Sequence, residues 1–351
     1  MSSRLSISFG KGLTNSGPWT NVRKASLFDS TTGSYCPSAP RYVSTFQPPP
    51  PNTYNAPAVY NNIPIDVTDS ESSGSFRLQD PNAVHIVTGA SRSMGLQFVK
   101  SLLHSKHRSH PDSTIIACCR DPLQAKALWD FINNLSDKEK ARIKVQKLDV
   151  TLDADIQNLA SYIQNNAQGR VDALYNIAGV LGDTQTTSGP ERNISQFNRS
   201  WFQSQMDVNA ISPMMVSAAL VPFMKVSRKE IKEQSRAPSV IVNMSARVGS
   251  IGDFNGPGLG WHSYRMSKVA LNMGTRALAH ELKRHGIWTV SLYPGFTDTD
   301  MSLPFQRPGM KEKGMVFPVD FTVERMLDVV HGMEEEHSGG FYDWSGLALP
   351  F

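Results

Sequence analysis

Ala83-Val84-His85-Ile86-Val87-Thr88-Gly89-Ala90-Ser91-Arg92-Ser93-Met94-Gly95 joins an apolar run to a loop of small residues and then to a helical pattern. The run Ala83 to Thr88, mostly apolar and without polar alternation, reads as a parallel strand buried on both faces. Small residues at 89, 93 and 95 allow a tight turn and a close approach of backbone. Met94 to Leu103 reads as the helix that follows. The first turn of such a helix offers unpaired N–H groups and the positive end of its dipole to a phosphate. The unit is therefore read as a nucleotide loop; the plainer reading is a tight turn that holds no ligand.

Outward from this unit the chain keeps alternating. Ser113 to Cys119 reads as a second strand, and Pro122 to Leu135 as a second helix capped by Asp121 with proline in its first turn. Strands follow at Ile143 to Leu148, Val171 to Tyr175, Ser239 to Met244, Thr289 to Tyr293 and Gly340 to Asp343. Helices are read over Asp153 to Asn165, one long run from Trp201 to Met224, His262 to His285, and Val323 to Met333. Alternating strands and helices predict an α/β fold: a doubly wound, Rossmann-type parallel sheet in three layers. Ligands in such sheets bind beyond the carboxyl ends of the strands. The polar basic stretch Lys225 to Pro238 reads as a solvated surface loop.

The chain has 351 residues, 40% apolar and 19% charged, as a globular core requires. No uninterrupted apolar run approaches the ~20 residues of a membrane span. Residues 1–65 hold five basic residues and one acid, which leaves 30 of each for the rest. A neutral body argues against a nucleic-acid footprint. Residues 1–80 lack apolar periodicity and carry Pro48 to Pro51 with much Ser, Thr and Asn, so they read as a disordered extension ahead of one domain, 81–351. The basic, acid-poor first part has the composition of a mitochondrial or plastid transit peptide, with a cytosolic tail as the alternative. Arg41 to Ser44 is a weak candidate for its processing point. Cys118 and Cys119 are adjacent and Cys36 is remote, which suits a reducing compartment and suggests neither a disulfide framework nor a metal site.

A second feature lies at Ser263-Tyr264-Arg265-Met266-Ser267-Lys268. Tyr264 and Lys268 fall on one face of a helix. A free phenol titrates near ~10; a fixed cation beside it favours the phenolate and makes it a usable acid/base. The pair alone is a common accident of helical spacing. It gains weight from what surrounds it.

The loop spacing Gly89-x-x-x-Ser93-x-Gly95 resembles that of the short-chain dehydrogenase/reductase family, and the resemblance continues in chain order across about residues 82–351. It implies that Gly89, Ser91, Arg92, Ser93, Met94 and Gly95 contact a dinucleotide. Asp149 and Val150 match the family's adenine-side element. Asn176, Ala178 and Gly179 match the element that braces the central sheet beside the cofactor. Pro294, Gly295, Thr297 and Thr299 match the segment that holds the nicotinamide end. Asn209, Ser245, Tyr264 and Lys268 match its catalytic tetrad, with Tyr264 as proton donor, Lys268 lowering its pKa and holding ribose hydroxyls, Ser245 orienting a carbonyl oxygen, and Asn209 holding a relay water. Three departures stand out: Ser93 replaces a usual glycine, Ile177 the second Asn of the brace, and Thr297 an apolar residue. The ending Gly340 to Phe351 resembles that of C-factor and sniffer-type carbonyl reductases.

The resemblance implies an oxidoreductase that interconverts a small-molecule carbonyl and a secondary alcohol. Arg120, first after the second strand, and Arg92 favour the 2′-phosphate of NADP(H) over NAD(H); Asp121 is the contrary signal, read instead as a helix cap. Residues 295–318 resemble a substrate lid, and Phe296, Met301, Leu303, Phe305, Met310 and Phe317 suggest an apolar pocket. The segment from Gly249 to Gly260 reads as part of the substrate mouth. Met206, Met214 and Met215 fit the core or the interface of a homo-oligomer. Other readings are a non-catalytic NADP-binding scaffold, which loss of a tetrad residue would favour, and a sugar-nucleotide epimerase, for which the stretch after Pro294 is short.

Overall fold

The structure is a computed structural model that describes residues 64–67, 72, 74–104, 109–182, 189–254 and 260–351. Residues 1–63, on which the import and processing readings rest, lie outside these, as does part of the 249–260 segment. Seven strands form one parallel sheet in the order β3-β2-β1-β4-β5-β6-β7. They are β1 (Val84–Val87), β2 (Thr114–Cys119), β3 (Ile143–Lys147), β4 (Ala173–Asn176), β5 (Ser239–Met244), β6 (Ile287–Tyr293) and β7 (Gly340–Asp343). The order reverses between β1 and β4, so a crevice opens at the carboxyl ends of these two strands.

The period-2 alternation of each strand feeds two cores. On one face, Ile115 and Ala117 of β2 pack with Phe98 and Leu102 of α1 (Ser93–His104), Leu128 of α2 (Lys126–Asn133), and Met326 and Val330 of α9 (Val319–His331). On the other, Ile116 and Cys118 pack with Leu159 and Ile163 of α4 (Asp153–Asn166), Leu220 of α6 (Ser212–Met224), and Leu282 of α8 (His262–Leu282). Each fully buried Leu or Ile contributes on the order of 2 kcal/mol. These two layers hold the carboxyl ends of the strands rigid.

Three elements differ from the sequence reading. The long helix is α5 (Arg199–Met206), a π-helical turn at Asp207–Ile211, and then α6. By length and composition the run Arg199–Met224 is apolar enough to cross a membrane, but Val216, Leu220 and Met224 are buried against the sheet. Met214 packs on Gly274, while Met215 is exposed. Short helices α3 (Asp137–Arg142) and α7 (Arg228–Lys232) appear in stretches given no helix by the sequence, each started by a capping box, Ser136/Glu139 and Ser227/Glu230.

The packed body also begins before residue 81. Ile65 is buried, and its N–H donates to the Gly346 carbonyl at 3.0 Å. Ser72 Oγ donates to the His331 carbonyl at 2.5 Å and Gly74 N–H to Met333. Buried Arg77 donates to the Pro238 and Gly74 carbonyls, and burial pulls its pKa down to about 10. The low-hydropathy composition concealed this strap because most of its buried side chains among the described residues, Ser72, Ser75 and Arg77, are polar.

At the amino ends of the central strands sits a buried charge cluster. Asp172 accepts hydrogen bonds from Val84 N–H at 2.9 Å, Arg170 Nε at 2.8 Å and Arg236 Nε at 2.8 Å, and Arg170 also pairs with Asp80. Desolvation opposes the Asp172 charge, but its two guanidinium partners and the backbone donor win, and its pKa lies below the ordinary carboxylate value. A depressed folded-state pKa stabilises the fold above the unfolded value of ~3.9, and that contribution is lost as pH falls below it. Asp172→Ala should therefore cost about 3–5 kcal/mol at neutral pH, because it removes the carboxylate shared by two half-buried guanidinium groups and leaves Arg236 without an acidic partner among the described residues. The loss should shrink in acid unfolding curves taken below about pH 4.

Candidate active site

The crevice is built from four segments. The β1–α1 turn comes first. A Cβ on Gly95 would lie 2.2 Å from the Gly89 carbonyl oxygen, so the helix can approach the turn this closely only with glycine there. Gly89 has φ 67° and Ser93 φ 50°, both left-handed. This explains the usual glycine at position 93: Ser93 holds that conformation at a cost of order 1–2 kcal/mol. The cradle of small residues and the free amino end of α1 fit a pyrophosphate.

The β4 end comes next. Thr88 Oγ1 accepts hydrogen bonds from the N–H groups of Ile177 (3.0 Å) and Ala178 (3.1 Å), which lays 177–179 along the nucleotide turn. Gly179 lies beside Asn209 Oδ1 and Lys268 Nζ. The Asn176 side chain, in the element that the resemblance reads as bracing the sheet beside the cofactor, is buried. Its Nδ2 donates to Asn243 Oδ1 at 2.9 Å and approaches Ser217 Oγ at 3.4 Å, bracing β4 against β5 and α6. Asp149, after β3, accepts from the Thr151 N–H and hydroxyl, and Val150 is half-buried behind it.

The catalytic candidates converge from β5, α8 and the π-turn. Lys268 Nζ donates to the Met244 carbonyl at 2.7 Å, which ties α8 to the end of β5. The same Nζ lies 5.6 Å from the Tyr264 ring centre. Asn209 sits in the π-turn, where the extra residue swings its side chain inward. Its Nδ2 donates to the Val180 carbonyl at 2.8 Å and to Ser267 Oγ at 3.1 Å, and its Oδ1 accepts from Val180 N–H at 2.9 Å. The Ser245 hydroxyl donates to Asn272 Oδ1 at 2.7 Å. Asn272, absent from the sequence reading, also donates from Nδ2 to the Gly249 carbonyl at 3.2 Å. Its one sequence signal is position: it follows Lys268 by one helical turn on the face that carries Tyr264.

The electrostatics run against one expectation. Lys268 was expected to lower the Tyr264 pKa. Burial dominates instead: it raises the Tyr264 hydroxyl well above the ordinary phenol range, with Tyr293 adding to the rise. Desolvation also pulls Lys268 down to about 7. Each buried group favours its neutral form, because the low-polarity surroundings penalise a charge more than the pair repays.

The fourth segment is the 295–318 loop, whose ends meet: Phe317 N–H donates to the Phe296 carbonyl, Asp298 N–H to the Phe317 carbonyl, and Thr297 bridges Phe317. Pro294 and Gly295 (φ 78°) turn the chain out of β6. Thr297 is buried, and its hydroxyl donates to the Pro294 carbonyl at 3.0 Å, which satisfies the polar atom where an apolar residue is usual. Thr299 pairs with Ser302. Ser93, Asp298, Thr299, Asp300, Leu303 and Val319 line a cavity of about 230 Å³ between this loop and the nucleotide turn. Arg92 pairs across it with Asp300 at 3.3 Å, both exposed, whereas Arg120 stands exposed past the end of β2. Asp121 accepts from Leu123 N–H at 3.0 Å, in keeping with its reading as a helix cap, here of the 3-10 turn Pro122–Gln124. Of the apolar candidates, Phe305 stacks on Trp261 (4.8 Å), and Trp261 stands edge-on to Tyr264 (6.3 Å). Phe317 is spent on packing against Phe321 and Trp344.

A phosphate-binding turn, a buried Tyr–Lys pair and a strand-end serine at one crevice define a nucleotide-dependent oxidoreductase. Residues 83–308 match the model of the short chain dehydrogenase family, and the chain belongs to that NAD(P)-dependent enzyme family. It is 31% identical over 193 residues to C-signal of Myxococcus xanthus, covering 55% of this chain and 100% of that one. It is 25% identical over 279 residues to an uncharacterized oxidoreductase of Schizosaccharomyces pombe, covering 77% and 98%. Among solved structures it superposes on the NADPH-bound carbonyl reductase from chicken fatty liver with TM-score 0.63 and 30% identity, covering 77% and 99%. It also superposes on the carbonyl reductase Sniffer of D. melanogaster, with TM-score 0.63, 26% identity and the same coverage.

A depressed Lys268 pKa makes a signed prediction. The unfolded chain holds the proton up to ~10.4, the folded chain only to about 7. Between these values the unfolded state binds more protons, so stability rises with pH. Denaturant unfolding at pH 7.5 and 9 should show that rise, approaching ~1.4 kcal/mol per pH unit from this group, and Lys268→Met should abolish it.

Proposed function

We propose that the protein reduces apolar or aromatic carbonyl compounds to secondary alcohols with NADPH, and catalyses the reverse oxidation. The observation that carries this reading is the buried Tyr264 hydroxyl, kept protonated by its surroundings on a helix anchored to the nucleotide crevice through Lys268. Burial keeps the proton on the phenol in the resting site, and Lys268, once charged, is the group beside it that lowers the cost of giving that proton to a developing alkoxide.

When bound, the dihydronicotinamide supplies a hydride. Gly89, Ser91, Arg92, Ser93, Met94 and Gly95 would hold the pyrophosphate side, Asp149 and Val150 the adenine side, and Pro294, Gly295, Thr297 and Thr299 the nicotinamide side. Tyr264 donates its proton to the substrate oxygen. Lys268 holds ribose hydroxyls and, once charged, stabilises the tyrosinate left behind. Ser245 positions the substrate oxygen, itself positioned by Asn272. Asn209, linked to Ser267 beside Lys268, would hold a water through which solvent returns a proton toward the lysine. The aromatic wall of Trp261 and Phe305 beside Tyr264 favours flat apolar substrates.

The preference for NADPH rests on Arg120, exposed past β2 where the 2′-substituent of the ribose falls in such sheets, and on the NADPH seen in the chicken carbonyl reductase. Arg92 is shared with Asp300, so Arg120 carries more of the discrimination.

A panel of quinones, aromatic aldehydes and ketones should consume NADPH, and Tyr264→Phe should lower kcat by at least ~10²-fold with NADPH affinity unchanged. Retained turnover would overturn the acid/base assignment, and no consumption by the parent enzyme despite tight cofactor binding would favour a scaffold. Arg120→Ala should weaken NADPH binding by roughly 10-fold, about one charge-assisted contact, while NADH binding, measured by fluorescence titration, changes little.

A further inference from the structure

We propose that Glu191 is a positioning residue of this active site, a helix cap supplied from another loop that sets the first turn of α8 and with it Tyr264. The inference rests on the proposed role of Tyr264.

The 21-residue helix α8 starts without a cap of its own. The residue before it, Trp261, is left-handed (φ 58°) and places no side chain on the free N–H groups. A helix start buried in this way needs acceptors from elsewhere. Glu191 provides them twice. Its backbone carbonyl accepts from Trp261 N–H at 2.5 Å. Its Oε1 accepts from Ser263 N–H at 3.2 Å and from the Ser263 hydroxyl. Ser263 directly precedes Tyr264.

The surrounding chain is shaped for this contact. A Cβ on Gly260 (φ 74°) would lie 2.1 Å from the Glu191 carbonyl oxygen, so only glycine lets the two backbones meet. Residues 192–200 are exposed throughout, whereas Pro190 and Glu191 are buried, Glu191 at 1% exposure. One loop residue is thus driven into the protein, and it is a carboxylate. Its Oε2 is buried without a hydrogen-bond partner among the described residues. An isolated carboxylate is expensive to bury. Here the positive end of the α8 dipole offsets part of that cost. An apolar residue would avoid it altogether, so stability alone does not account for the choice; fixing the start of α8 does.

Register is what the cap secures. Tyr264 is the third residue of α8, within the turn that frays first when its N–H groups lack acceptors. Lys268 lies a turn further in and is anchored separately on the Met244 carbonyl. Loss of Glu191 therefore moves Tyr264 and spares Lys268. The signature is a fall in kcat with binding retained, since a shift of about 1 Å in a reacting group costs up to ~10²-fold.

The test compares Glu191→Ala, Glu191→Gln and Ser263→Ala with the parent in the NADPH-linked carbonyl assay. Glu191→Ala should lower kcat at least 10-fold, with substrate KM and NADPH Kd within 3-fold. Glu191→Gln keeps an amide oxygen on Ser263 and should stay within 3-fold of the parent in kcat. Ser263→Ala removes one of the donors to Oε1 and should lower kcat about 3-fold, and adding it to Glu191→Ala should cost nothing more. Unchanged kcat in Glu191→Ala, or equal loss in Glu191→Gln, overturns the proposal. If Glu191→Ala does not fold, Ser263→Ala decides: a kcat within experimental error of the parent overturns it. A parent without turnover would instead sink the reading of Tyr264 as the acid.

Discussion

The bond from Lys268 Nζ to the Met244 carbonyl is the contact on which the site depends. It places an amine at the seam between α8 and the end of β5, where Lys268 is buried. Met244 adjoins Ser245, so the same bond sets the distance between α8 and the strand-end hydroxyl. Its cost appears in the depressed Lys268 pKa. A protein selected for stability alone would place an apolar side chain there. Keeping a lysine there costs stability, and a buried group with a strongly shifted pKa is a mark of a candidate functional site.

Around that seam the polar groups are locked in place by one another. Asn209 is gripped by both backbone atoms of Val180, Ser245 by Asn272, and Asn272 by Gly249. Buried polar networks of this kind are stable only when nearly every member is satisfied. The π-turn serves the same end: a regular α-helix from Arg199 to Met224 would rotate Asn209 relative to α6, and the inserted residue resolves the conflict. The left-handed Ser93 and Trp261 are further places where the backbone departs from its preferred conformation, both at edges of the same crevice.

Much of the fold was legible because it rests on local pattern. The β5 and β7 boundaries agree with the apolar runs residue for residue, and the capping residue Asp121 and the small-residue turn at 89–95 behave as their chemistry suggests. The errors have physical causes. A six-residue helix such as α3 carries too few residues for periodicity to register. The described residues 64–67, 72 and 74–80 are held mostly by backbone carbonyls and one buried guanidinium, groups that leave no hydrophobic signature. Asn176, by contrast, bonds Asn243 and Ser217, in keeping with the bracing its motif implied.

By itself the sequence determined the parallel α/β architecture and the small-residue turn, because spacing along strands and helices dictates which side chains share a face or a strand end; its family resemblance singled out Asn209, Ser245, Tyr264 and Lys268 as candidates. Tertiary structure decided the rest. Whether Tyr264 and Lys268 favour their charged or neutral forms depends on how much water reaches them, a property of packing that spacing does not encode. The parts played by Asn272, Trp261 and Glu191 depend on contacts between segments remote in the chain; Glu191 meets Ser263 across 72 residues. Only the folded backbone brings such partners within hydrogen-bond distance.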